Sequence, residues 1–230
     1  MEIKVVVADS SHAVHAERVC GLIYESALQR GTGIAKRTSE YIASKINEGK
    51  AVIAFDDDKL IGFCYIESWQ HSRFVANSGL IVDPEYRKTG LARMIKKKIF
   101  ELSRTRYPDA KIFSITTGLA VMKLNSELGY LPVTFSELTD DAEFWKGCEG
   151  CRNYDILLRN DRRMCLCTGM LYDPAKEKKE KKSDKLIAPQ PHKVDLNPLN
   201  LVPKRQKVLM RKLLRKSGLI RPKRMAIGVQ

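Results

Sequence analysis

The sequence predicts an α/β domain, a mixed and mostly antiparallel sheet of six or seven strands flanked by helices, followed by a basic C-terminal tail. Three observations carry this. Residues 51–55 and 60–69 are apolar runs on either side of an Asp-rich turn, the pattern of an antiparallel hairpin. A short strand at 78–82 passes through a proline-interrupted turn into Leu91, Met94, Ile95, Ile99 and Leu102, whose spacing of three and four marks one face of a helix. The charge is also divided. Residues 1–174 hold 24 Lys and Arg against 23 Asp and Glu, and residues 175–230 hold 17 against 4, in a chain of net charge +14.

Along the chain, residues 3–7 form a first strand. Val19, Leu22, Ile23 and Ala27 make a helical stripe that ends before Gly31, and a second helix over about 39–48 carries Tyr41, Ile42 and Ile46 and stops at Gly49. The hairpin follows, then the strand, turn and helix already described. Residues 112–116 are a further strand, 120–128 a helix closed by Gly129, and Val133 and Phe135 alternate on another strand. Residues 165–172 are apolar enough for a last one. No internal repeat is visible.

From residue 175 the composition changes. A lysine-rich low-complexity run and then Pro189, Pro191, Pro198 and Pro203 read as a linker. Val208, Leu209, Leu213 and Leu214 recur at helical spacing among Lys and Arg, predicting a basic amphipathic helix over 204–216, with Pro203 at its start. Such a helix suits RNA, an anionic surface, the domain itself or a second copy in a homodimer. No apolar run approaches the ~18 residues a membrane span needs. The first residues lack the apolar core of a signal peptide. Cytoplasmic residence is therefore expected, and the six cysteines read as thiols or metal ligands rather than disulfides.

The turn before the third helix holds the most specific chemistry. Gly90 and Ala92 leave the first backbone N–H groups unobstructed, and a helix start with bare amides is an anion site. Arg87 and Lys88 add charge beside it, which points to a ligand carrying phosphates.

The order strand, V-x-P-x-x-R-x-x-G-x-A, helix resembles the acyl-CoA loop of the GNAT superfamily of N-acetyltransferases, matched at Arg87, Gly90 and Ala92. The element order over 1–174 resembles that fold too, and Gly129-Tyr130 stands where the family has Gly-Phe. The resemblance implies a GNAT-like acyltransferase domain over 1–174. In it, amides of Lys88, Thr89, Gly90, Leu91 and Ala92 would cradle the pyrophosphate of acetyl-CoA, or of succinyl-CoA. Leu80, Ile81 and Val82 would pair their backbone with the pantetheine arm.

Acyl transfer to an amine requires a positioned thioester, a deprotonated amine, a stabilised oxyanion and a protonated leaving thiolate. The position of the family's acidic Tyr is Asn125 here, and an amide does not give up a proton at neutral pH. The position of its basic Glu is Ala76. Glu67, at the end of the third strand, and His71 just after it remain as candidates acting through water.

Gly33 to Thr38 resembles a segment of N-acetylglutamate synthase acetyltransferase domains, and Phe113 to Thr117 resembles their Leu-Thr-Thr strand end. A glutamate acceptor needs a fixed guanidinium, because Arg pairs with carboxylate bidentately. The resemblance assigns that role to Arg37, with Lys36 second and Thr117 at the strand end. It implies acylation of the α-amine of glutamate, the opening step of arginine biosynthesis. Two rivals remain: a GNAT acting on a protein amine or a small cationic amine, and a non-catalytic coenzyme-A-binding module with a nucleic-acid-binding tail.

Cys148-x-x-Cys151 in a Gly-rich loop and Cys165-x-Cys167 on the last strand form a second constellation. Four thiolates would hold Zn2+ tetrahedrally and clip that strand to the loop. Cys20 and Cys64 lie on core elements, which disfavours a covalent acyl-cysteine route.

Overall fold

The computed structural model describes residues 2–30 and 37–177, all of which belong to one compact unit. Lys36, the linker and the tail helix expected over 204–216 lie outside the described residues.

The described residues build a seven-stranded sheet: β1 (Ile3–Val7), β2 (Ala51–Asp56), β3 (Lys59–Trp69), β4 (Phe74–Val82), β5 (Lys111–Thr116), β6 (Leu131–Val133) and β7 (Thr168–Tyr172). Its order is β1-β2-β3-β4-β5-β7-β6, with β4 and β5 parallel and every other pair antiparallel. The mixed, mostly antiparallel sheet expected from the sequence is therefore present. β4 runs four residues further back than the short strand read from sequence, and Phe135 opens a 3-10 turn (Phe135–Glu137) instead of extending β6.

The helices are α1 (Ala16–Arg30), α2 (Ser39–Asn47), α3 (Leu91–Arg106), α4 (Leu119–Glu127), α5 (Ala142–Lys146) and α6 (Tyr154–Arg159). Apolar residues of α1 and α2 pack on one face of the sheet against Ile53, Phe63, Tyr65 and Ile81. α3 covers the other face, where Leu91, Ile95 and Ile99 meet Cys64, Ile66, Val75 and Tyr130. Burying each such isoleucine contributes about 1.5–3 kcal/mol. A third cluster joins α5 and α6 to β5 and β7 through Phe113, Phe144, Trp145 and Leu157.

The buried face of α3 is rotated from the stripe read in the sequence. Met94 is 47% exposed, whereas Lys96 and Ser103 are buried with the isoleucines. Residues 92, 96, 99 and 103 follow helical spacing as well as the apolar set does, so polar side chains on β4 and beyond it receive these two.

Two features of β4 shape everything that follows. The strand carries a bulge opposite β3: Phe63 pairs with Ile81 and Tyr65 with Ser78, leaving Gly79 and Leu80 out of register. Gly79 adopts φ +65°, and a Cβ there would stand 2.5 Å from the Tyr65 ring, so only glycine fits. On its other edge, β4 pairs with β5 only from Phe74 to Ala76. From Asn77 onward the two parallel strands part.

Candidate acyl-transfer site

The parting of β4 and β5 opens into a cleft of about 770 Å³. Asn77, Ser78, Gly79 and Leu80 of β4 line it, with Ser114, Ile115, Thr116 and Thr117 from β5 and its end, and Lys96 from α3. Tyr41, Tyr65, Glu67 and Arg37 line the side covered by α1 and α2.

These last four form one connected group. Thr38 caps α2 by accepting from the Tyr41 N–H, which sets Tyr41 in the first turn facing the sheet. Arg37 Nε donates to the Tyr65 hydroxyl at 2.8 Å, and its Nη2 lies 3.9 Å from Glu67 Oε1. The Tyr41 hydroxyl donates to the same carboxylate oxygen. The Arg37 guanidinium also stands over the Tyr41 ring at 5.4 Å. Burial opposes its charge, but Tyr65 and Glu67 outweigh that and hold the Arg37 pKa above its ordinary value. Burial first, and Glu67 second, push both tyrosine hydroxyls up, so they remain neutral donors. Glu67 is 6% exposed.

The α3 face of the cleft carries a second buried network. Asn77 Nδ2 donates to Ser103 Oγ at 2.8 Å, and Ser103 Oγ to the Ile99 carbonyl. Asn77 Oδ1 accepts from the Tyr130 hydroxyl at 2.9 Å and from Lys96 Nζ at 3.5 Å. Sequence reasoning missed this network, because a lysine and a serine within a helical stripe read as its solvent edge.

The loop between β4 and α3 fits a diphosphate. Lys88, Thr89 and Gly90 are exposed, α3 starts at Gly90 without a side-chain cap, and Lys88 and Gly90 have φ +68° and +93°. Left-handed residues in such a turn make a concave nest of N–H groups. No atom lies within 4 Å of a Cβ placed on Gly90, so space is free where a ligand would approach. Leu91 is buried beneath the first turn, and Ala92 is partly buried. Arg87 acts differently from expectation. It turns back to donate to Gln29 Oε1 at 3.0 Å and Ser26 Oγ at 2.9 Å, fastening the loop to α1. Leu80 and Gly79 at the bulge precede Ile81 and Val82, which are paired again with β3 and buried.

Two expected catalytic residues stand elsewhere, and the cysteines, three of which line the cleft, do not form the arrangement expected. His71 sits on the exposed turn between β3 and β4 at φ +54° and does not line the cleft. Asn125 is fully buried behind Ser114, to whose Oγ it donates at 3.1 Å, and does not reach the cleft either. Cys165 and Cys167 precede β7 and so do not share a strand face, whereas Cys148 and Cys151 stand in the loop expected for them. Cys148, Cys151, Cys165 and Cys167 do surround one small pocket with Tyr154 and Leu157. Among the described residues, however, no three of His, Cys, Asp and Glu are arranged to hold a metal ion, so the expected Zn2+ clip does not fit. Burial pushes the Cys148 thiol up to about 11 and the Cys167 thiol up to about 12.

A split parallel pair beside a nest of amides is a site that a ligand with a diphosphate and an extended arm would fit. Residues 22–124, a little under half of the chain, match the acetyltransferase (GNAT) family. Searched by sequence, the curated proteins gave no match. Among solved structures the fold is shared with N-acetylglutamate synthase from Neisseria gonorrhoeae, complexed with coenzyme A and N-acetyl-glutamate (TM-score 0.54, 16% identity, 75% of this chain and 35% of that one). It is shared with Rv2747 from Mycobacterium tuberculosis, in complex with CoA and NLQ (TM-score 0.54, 14% identity, 74% and 98%). Diaminobutyrate acetyltransferase EctA from Paenibacillus lautus, with L-2,4-diaminobutyric acid and coenzyme A, is a third (TM-score 0.52, 11% identity, 75% and 95%). The chain thus spans about a third of the gonococcal synthase. At these identities the likeness is one of fold.

Proposed function

We propose that this protein transfers an acetyl group from acetyl-CoA to the α-amine of an amino acid, glutamate first, in the manner of an N-acetylglutamate synthase and hence at the opening of arginine biosynthesis. The observation that carries this is the pair Arg37 and Glu67, 3.9 Å apart on one wall of the cleft. A free amino acid presents a carboxylate and an ammonium on neighbouring atoms. A guanidinium beside a carboxylate is the complementary arrangement, Arg37 taking the carboxylate and Glu67 the amine. Two fold neighbours carry amino-acid ligands, N-acetyl-glutamate and L-2,4-diaminobutyric acid, in keeping with this choice.

In this scheme the loop from Lys88 to Ala92 grips the diphosphate. The unpaired edge of β4 from Asn77 to Leu80 takes the pantetheine arm and turns its amides on the thioester carbonyl. Glu67, with Tyr41 donating to it, takes the amine proton through water. Attack then occurs in a ternary complex. Succinyl-CoA is the alternative donor.

A small cationic or protein amine is the competing acceptor, favoured by Glu67 standing buried in the wall with Glu143 also lining the cleft. Thiol release should be followed with acetyl-CoA and succinyl-CoA against the common amino acids, diamines and a lysine peptide. Turnover with glutamate that rises in KM on Arg37→Met supports the proposal. Turnover with diamines or peptide alone, indifferent to Arg37, sinks it. Tight acetyl-CoA binding with no turnover on any amine would leave a binding module.

A further inference from the structure

We infer that Lys96 is a catalytic residue of this transfer, its ammonium giving a proton to the sulfur that leaves the thioester. The inference rests on the acyl-transfer reading above and adds the acid that reading lacks.

The argument starts from position. Lys96 stands on the turn of α3 between Ile95 and Ile99, on the face that packs against the sheet, where an apolar side chain belongs. It is 1% exposed and yet lines the cleft. Among the described residues no carboxylate acts on its charge, only burial and the Cys64 thiol. Its one hydrogen bond, to Asn77 Oδ1, is long at 3.5 Å, and that oxygen already accepts from Tyr130 at 2.9 Å. The Tyr130 ring lies 5.1 Å from Nζ, but a buried ammonium with three donors, one ring face and one weak acceptor is still costly to keep, unless a ligand in the cleft uses what remains.

The sheet then separates two tasks. Successive residues of a strand point to opposite faces. Tyr65 and Glu67 of β3 therefore face α1 and α2 with Arg37, while Cys64 and Ile66 face α3 with Asn77 and Lys96. The amine is recognised on the first face. The thioester lies in the gap between, and its sulfur has the α3 side left to it. Lys96 is on the wrong side to deprotonate the amine and on the right side for the sulfur. α4 supplies no acid here, since Asn125 is held behind Ser114.

The step balances. The amine nitrogen bonds to the carbonyl carbon, the C–S bond breaks, and its electron pair passes to sulfur, which takes a proton from Lys96. Lys96 is left neutral and regains a proton from water, while the amine has released one through Glu67. The titratable groups facing Lys96 are Cys64 from β3 and Tyr130. Burial raises both and keeps them neutral. Burial also pulls Lys96 down to about 8. That matches an ordinary thiol, near ~8.5, closely enough for transfer in either direction.

The test uses the full-length protein and Lys96→Met, which keeps the length and removes the charge. Acetyl-CoA binding is measured by calorimetry. Thiol release with the acceptor found above is measured from pH 6 to 10, with acetyl-CoA and with an acetyl thioester of an aromatic thiol, whose sulfur leaves unaided. Expected are near-normal acetyl-CoA binding and a kcat lower by about 100-fold. The alkaline fall in wild-type kcat centred near pH 8 should vanish in the variant, and the defect should shrink with the aromatic thioester. A kcat within threefold of wild type overturns the inference while leaving acyl transfer intact. So does an equal loss with both thioesters, or acetyl found on Lys96 by mass spectrometry. Wild-type protein that does not bind acetyl-CoA, or binds it without releasing thiol, overturns the acyl-transfer reading and the role of Lys96 with it.

Discussion

Arg37 and Lys96 are two cations treated in opposite ways by the same cleft. Arg37 is surrounded by Tyr65, Tyr41 and Glu67, so its charge is retained and its planar donors are held in place. Replacing it by Met is expected to raise the acceptor KM about 10- to 100-fold, since hydrogen bonds to a charged group contribute about 1.5–3 kcal/mol. Steady-state kinetics checks this, with Arg37→Lys expected to recover only part. Lys96 has the Tyr130 ring at 5.1 Å and a long bond to Asn77 but no carboxylate among the described residues, and burial pulls its pKa down to about 8. The folded protein therefore binds fewer protons there than the unfolded chain between about pH 8 and 10.5. The destabilisation is fully present below pH 8 and is relieved as the pH rises through that window. Lys96→Met should accordingly melt higher than wild type at pH 7, by an amount of order 3 kcal/mol, and the difference should close by about pH 10.5. Denaturant unfolding at pH 7 and 10 measures it, and a variant less stable at pH 7 would contradict the burial cost.

At the scale of elements, the loop between β4 and α3 and the β4 bulge each rest on a backbone that few residues adopt. Gly79 at φ +65° lies against the Tyr65 ring. Gly79→Ala should cost about 2–4 kcal/mol from the left-handed backbone and overpacking together, and should displace Tyr65 from Arg37. A thermal melt and acceptor KM report the two effects. On the exposed loop, Thr89→Asp places a carboxylate beside the amides at the start of α3. It should weaken acetyl-CoA binding about tenfold through like-charge repulsion while leaving the fold intact.

These elements also mark what the sequence could disclose. β1 to β5 and α1 to α4 were legible because alternation and 3.6-residue periodicity persist over enough residues to be seen. α5 and α6, of five and six residues, are too short to show a period. The turn into α3 was legible through its glycine and proline spacing, and Arg37 was singled out by the resemblance of 33–38 to an acceptor-binding segment, a role that belongs to the proposal. Lys96 was not, because a buried charge is indistinguishable from a solvated one until its neighbours across the sheet are known. Asn125 and His71 failed for the same reason: their chain positions suited the site, but Ser114 stands in front of one and a left-handed turn carries the other away.

At the scale of the molecule, charge and fold part company. The whole chain carries +14. Residues 1–177 carry 25 Lys and Arg against 24 Asp and Glu, so almost all of the excess lies beyond them. The domain itself continues slightly further than residue 174. Glu177 accepts from the Tyr172 hydroxyl and pairs with Arg104 at 3.7 Å. Removing 178–230 is therefore expected to leave acetyl-CoA turnover and the melting temperature unchanged, and to abolish any salt-sensitive binding to RNA. Loss of turnover would assign the tail a part in the reaction.

β4 and β5 share only three paired positions before they diverge. Six of the nine residues of β4 and three of the six of β5 thus have no ladder between them. A bound donor would act as the keystone of that arch, lending its amides where a peptide strand would otherwise lie. Saturation at a hundredfold over Kd would then stabilise the protein by about 2.7 kcal/mol, and the amides slowed most in hydrogen exchange should be those of Asn77 to Leu80, deep in the sheet and far from any loop.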